Sequence, residues 1–193
     1  MRKHPIIGII CCFFLLCAFQ GFAKTSSYTD PTLGFSLELP ENWQKQKPED
    51  SVRPYFVTFY GPKDSTGFVP TFVVAVVDKQ KDFQAFVDAE IKLTEKTQKG
   101  YKLIKKECKT QKRCEVVGNY PYDPKIFIPS KKDQQKIIGE YTIKNRHVFI
   151  QGENKFYVLS AGCFTIKCNE YEKTISAMMN SFKEAGLLDK YFQ

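Results

Sequence analysis

Gly34-Phe35-Ser36-Leu37-Glu38-Leu39-Pro40-Glu41-Asn42-Trp43 alternates apolar and polar side chains up to a proline, then reaches the only tryptophan of the chain. Alternation with period two is the mark of a strand covered on one face, so Phe35, Leu37 and Leu39 face a core while Ser36 and Glu38 face away. Pro40 stops the ladder, and Trp43 then has an apolar set to pack on. Upstream, Asp30-Pro31-Thr32-Leu33-Gly34 is turn chemistry, and the polar stretch from Lys24 to Tyr28 reads as a frayed start. Downstream, Tyr55 to Tyr60 and Thr71 to Val77 are aromatic and β-branched runs, expected as neighbouring strands. The second run has no polar face and reads as a central strand.

Helical patterns interrupt the strands twice. Asp82 can cap a helix over Phe83 to Gln98, with Phe83, Phe86, Val87 and Ile91 on one stripe and Gly100 ending it. Near the C-terminus, Tyr171, Ile175, Met178, Met179 and Phe182 repeat at helical spacing up to Gly186, with Asn169 as the expected cap and Glu172 in the capping-box position. Between the helices, Tyr101 to Cys108 and Cys114 to Tyr120 read as a hairpin. Lys136 to Ile143, Val148 to Gln151 and Lys155 to Ala161 follow as strands, with Gly152-Glu153-Asn154 turning between the last two. The order is strands, helix, strands, helix, an α+β domain.

Residues 1–23 have the pattern of a targeting signal. Arg2, Lys3 and His4 precede an uncharged apolar run from Ile6 to Phe19, and Gly21-Phe22-Ala23 places small residues where a signal peptidase reads. A membrane anchor would need about 20 apolar residues, more than this run holds. Expected, then, are a signal peptide over 1–23 and one domain over 24–193, periplasmic or secreted, monomeric and without a transmembrane span. Cleavage removes Arg2 and Lys3 and no acid, taking the formal charge from +8 to +6.

Three of the seven cysteines leave with the signal, and Cys108, Cys114, Cys163 and Cys168 remain. In an exported domain four cysteines imply two disulfides, with three connectivities possible. The close spacings favour local pairing, each loop contributing about 2 kcal/mol. Zinc is the competing use of four cysteines, but the spacings are longer than a usual knuckle.

Chemistry is sparse. His147 is the only histidine after the signal, so Ser-His and Cys-His nucleophile pairs must run through it, and Cys163 is the one thiol partner to weigh. There is no phosphate-cradling glycine loop, no His-x-x-x-His pair and no nucleophile elbow. No enzyme activity, cofactor or metal is expected. The basic residues do gather: Lys102, Lys105, Lys106, Lys109, Lys112 and Arg113 lie on one hairpin, with Lys102 and Lys106 on a common face and Lys105 on the other. Lys131 and Lys132 follow the apolar tip Ile126-Phe127-Ile128 in the loop from Tyr122 to Gln135. Candidate partner-binding residues are therefore Lys105, Lys106, Lys112, Arg113, Ile126, Phe127, Ile128, Lys131 and Lys132. An acidic protein or another anionic surface fits this charge, a solvated lysine face is the plainer explanation, and nucleic acid is not expected outside the cell.

Gly34 to Trp43, together with Tyr157-Val158-Leu159-Ser160 and a last helix ending Met179-Asn180-Ser181-Phe182, resembles the PsbP-like family over about Tyr28 to Phe182. The resemblance implies an antiparallel β-sheet with helices on both faces, and an exported accessory or binding role without a shared active site. The cysteine pairs and the Tyr122–Gln135 loop look like additions to that pattern. The expected function is thus a non-enzymatic protein that docks to a protein or anionic partner. The alternative is a small-ligand carrier with a pocket between the sheet and the helix bearing Met178 and Met179, and a hydrolase or thiol enzyme ranks third.

Overall fold

The computed structural model describes residues 24–46, 55–65, 67–80, 82–122 and 141–185. In chain order these form β1 (Thr25–Asp30), β2 (Phe35–Pro40), β3 (Gln44–Lys45), β4 (Phe56–Tyr60), β5 (Thr71–Asp78), α1 (Phe83–Thr97), β6 (Lys102–Thr110), β7 (Arg113–Pro121), β8 (Thr142–Gln151), β9 (Lys155–Phe164), α2 (Cys168–Ser181) and β10 (Lys183–Glu184). All pairings are antiparallel. Seven strands make one sheet in the order β3-β4-β5-β9-β8-β7-β6, and β1-β2-β10 make a small second sheet.

The opening stretch occupies the middle of that small sheet. Phe35, Leu37, Leu39 and Trp43 are buried as the alternation requires. The polar start proves to be a strand: Thr25 to Asp30 pair in register with Pro40 back to Phe35. Its own side chains bury little, so composition did not mark it, and its backbone pairing with β2 is what holds it. On the other edge of β2, β10 brings the end of α2 alongside, and the Phe182 ring stacks on Phe35 at 5.7 Å.

The core divides along alternate residues of the large sheet. Tyr157, Leu159 and Ala161 of β9 pack with β2, Trp43 and Ile175, Met178 and Met179 of α2, whereas Phe156 and Val158 pack with Phe83, Phe86, Val87 and Ile91 of α1. Period two along one strand thus feeds two clusters. A third cluster gathers Phe68, Tyr120, Ile143 and Phe164 at one end of the sheet.

Asp82 caps α1 as expected, its carboxylate accepting from the backbone N–H of Gln84 and Ala85. Gly100 follows with φ 76°, a conformation that favours glycine. The second helix differs from expectation. It begins at Cys168, its N-cap is Lys167 with no side-chain cap bond, and neither Asn169 nor Glu172 caps it. The Cys163–Cys168 disulfide holds the first turn instead, which frees Glu172 to bind Arg146. The strand expected to break over Lys144 to His147 is continuous in β8, paired residue by residue with β7 and β9. Lys144, Arg146 and His147 find partners on neighbouring elements, so they interrupt the pattern without interrupting the strand.

Candidate functional site: the stapled basic hairpin

β6 and β7 form a hairpin whose outer strand ends the large sheet. All nine residues of β6 are exposed, while β7 is buried or half-buried from Arg113 to Tyr120. The Thr110 hydroxyl accepts from the Lys112 N–H in the turn, and the Cys108–Cys114 disulfide links directly opposed residues. At the other end the Tyr101 ring lies over Gly118, where a Cβ would overlap it.

A β-bulge between Leu103 and Lys105 resets the faces. One extra residue reverses the alternation beyond it. Lys102, opposite Asn119, therefore shares a face with Lys105, opposite Val117, and not with Lys106. Lys106 turns to the α1 side and bonds Asp88 at 2.6 Å. Lys105 pairs with Glu107, whose hydrogen bond raises the lysine and, reciprocally, holds the Glu107 carboxyl below its usual range. Arg113 is half-buried and donates to the Met179 carbonyl at 3.1 Å, near the C-terminus of α2, with burial lowering its pKa. It is tied into the fold and is not a free surface cation. Lys112 is exposed at the turn. Lys102, Lys109 and Lys112 have no ion-pair partner among the described residues. Ile126, Phe127, Ile128, Lys131 and Lys132 lie outside the described residues.

Behind the hairpin runs a polar network absent from the sequence reading. Arg146 Nε lies 2.8 Å from Glu115 Oε1, within ion-pair range though not aligned as a hydrogen bond. Its Nη1 donates to Glu172 at 2.9 Å and to the Ser176 hydroxyl at 2.7 Å. The position of Arg146 inside a strand, within two places of Lys144, was the available signal.

The expected alternatives for chemistry meet specific obstacles. The four cysteines of the described residues are in disulfides, Cys108–Cys114 and Cys163–Cys168, so neither the zinc reading nor a Cys163–His147 pair has a thiol to use. His147 Nδ1 is 2.7 Å from the Ser160 hydroxyl, but its Nε2 is enclosed without a partner. Burial pushes the imidazole down to about 4, which leaves a weak base. Among the described residues no group of three or more His, Cys, Asp or Glu could hold a metal. The space proposed for a carried ligand is filled, because Ile175, Met178 and Met179 pack directly against the sheet. A small cleft of about 40 Å³ lies elsewhere, beside Gly34, Tyr157 and Glu184. No helix among the described residues is long and apolar enough to cross a membrane.

Neither the protein-family models nor the curated proteins give a match. Solved structures do. The Ran-binding protein Mog1p of Saccharomyces cerevisiae superposes with a TM-score of 0.52 at 8% identity, covering 84% of this chain and 96% of its own. The cyanobacterial PsbP of Synechocystis gives 0.52 at 11% identity, covering 87% and 96%. LpqN of Mycobacterium tuberculosis, involved in cell envelope biogenesis, gives 0.51 at 15% identity, covering 84% and 91%. This likeness shows the fold: the chain shares the architecture of PsbP and Mog1, in line with the PsbP-like resemblance carried by Gly34–Trp43, Tyr157–Ser160 and Met179–Phe182.

Proposed function

We propose that this protein is an exported, non-enzymatic accessory protein, helices covering both faces of its sheet, that docks to an acidic protein partner through the outer edge of the β6–β7 hairpin. One observation carries the reading: β6 is exposed along its whole length at the sheet edge, and Lys102 and Lys109 on it and Lys112 in the adjoining turn stand without an ion-pair partner among the described residues. Long flexible cations on an exposed edge raise the encounter rate with an acidic surface and give binding that weakens with salt. The two disulfides and the signal-like residues 1–23 support an oxidising, extracytoplasmic setting. A structural neighbour described as Ran-binding has this architecture, which supports docking over chemistry.

The test is salt-dependent co-purification from the producing cells, comparing wild type with a variant carrying Lys102→Glu, Lys109→Glu and Lys112→Glu. All three positions are exposed and outside the ion pairs of the hairpin, so the variant should keep its circular dichroism spectrum and lose the partner. Undiminished recovery of the same partner would sink the proposal.

A further inference from the structure

We infer that the partner supplies an extended acidic segment, which adds to β6 as an eighth strand of the large sheet. This rests on the docking reading above and specifies its geometry. The other edge of the sheet, β3, is two residues long, whereas β6 offers nine residues, and among the described residues its backbone pairs with β7 alone. An antiparallel edge leaves alternate N–H and C=O groups pointing outward, roughly four donors over a strand of this length, enough to hold a peptide by main-chain bonds.

Edge strands are usually defended against unwanted pairing by lysines and bulges, and β6 has both. Here those lysines act as a selector. Lys102, Lys105, Lys106 and Lys109 stand against the single acid Glu107 on the strand. With Lys105 held by Glu107 and Lys106 by Asp88, a basic or uncharged strand meets Lys102 and Lys109 without a partner among the described residues, while an acidic one neutralises them. Lys102 and Lys105 share a face across the bulge, which asks for acids on alternate positions of the incoming strand. Leu103 and Ile104, 42% and 58% exposed, offer apolar contact at the near end. At the far end Cys108–Cys114 ties the edge strand to β7, so little ordering remains to be done on binding.

The probe is a capped nine-residue peptide alternating Glu and Val, titrated into the 15N-labelled protein, with amide exchange of β6 read by NMR. The β6 amides that do not donate to β7 should slow at least tenfold at saturation. Affinity should fall at least tenfold for the Lys102→Glu, Lys105→Glu, Lys109→Glu variant. It should fall as far for a peptide of the same charge with alternate backbone amides N-methylated. If the methylated peptide binds as well and β6 amides stay unprotected, strand addition is overturned while charge-driven docking stands. If an anionic polysaccharide shifts the hairpin resonances and the peptide does not, both the strand and the protein-partner readings are overturned.

Discussion

Acidification from pH 7 to pH 5 should destabilise this protein through one side chain. His147 sits on β8 with Nδ1 against the Ser160 hydroxyl at 2.7 Å, its ring 6.0 Å from that of Phe149, and its Nε2 enclosed without a partner. Burial penalises the imidazolium and pushes the group down to about 4 in the folded protein, against about 6.5 in an unfolded chain. Because the folded value is the lower one, the stabilisation from a neutral His147 is present above about 6.5 and is lost as pH falls toward 4. At pH 5 almost every unfolded chain holds the proton but only about one folded molecule in ten does, which removes about 2 kcal/mol relative to pH 7. Urea unfolding at pH 7, 6 and 5 measures this against His147→Asn, whose amide can keep the Ser160 bond without titrating. Carboxylates contribute equally to both proteins, so the wild type should lose about 2 kcal/mol more than the variant over that range. Parallel curves for the two proteins, or an NMR midpoint for His147 near 6.5 in the folded state, would refute the reasoning.

Two further outcomes follow from packing. Replacing Cys163 and Cys168 together by alanine opens the loop that holds the first turn of α2. This should cost about 2 kcal/mol, seen as a lower urea midpoint and faster amide exchange confined at first to that turn. In the polar network, Glu115 is only 15% exposed beside Arg146. Arg146→Met leaves that carboxylate as a buried charge without its partner and should cost about 3 kcal/mol. A loss below about 1 kcal/mol in equilibrium unfolding would show that Glu115 is solvated by other means.

Much of the fold was legible where side chains carry the pattern. The alternation at Gly34–Trp43, the register partners Tyr55–Tyr60 and Thr71–Val77, the Asp82 cap and the Gly152–Asn154 turn all place burial or hydrogen bonding in local sequence. What stayed hidden depends on long-range backbone pairing. Thr25–Asp30 is a strand because β2 lies beside it, β8 is continuous because Arg146 reaches Glu115 and Glu172 from other elements, and α2 begins where a disulfide pins it. The candidate site was legible as a cluster and not as a geometry. Lys102 to Arg113 do share one hairpin, but the bulge at Leu103/Lys105 exchanges the face of Lys102, and Arg113 turns inward to α2. Of the lysines on this hairpin, Lys102, Lys109 and Lys112 have no ion-pair partner among the described residues, a division that pairing with Asp88 and Glu107 decides and residue order alone does not.

Docking through the β6 edge is tested most directly by photo-crosslinking in the producing cells, with a photoreactive residue placed at Lys109 or, as a control on the small-sheet end, at exposed Glu41. Lys109 should capture one protein that mass spectrometry shows to be joined through an acidic extended segment, and adding Lys102→Glu and Lys112→Glu should abolish the adduct. Equal capture of the same protein from Glu41, or an adduct indifferent to the charge reversals, would contradict the account.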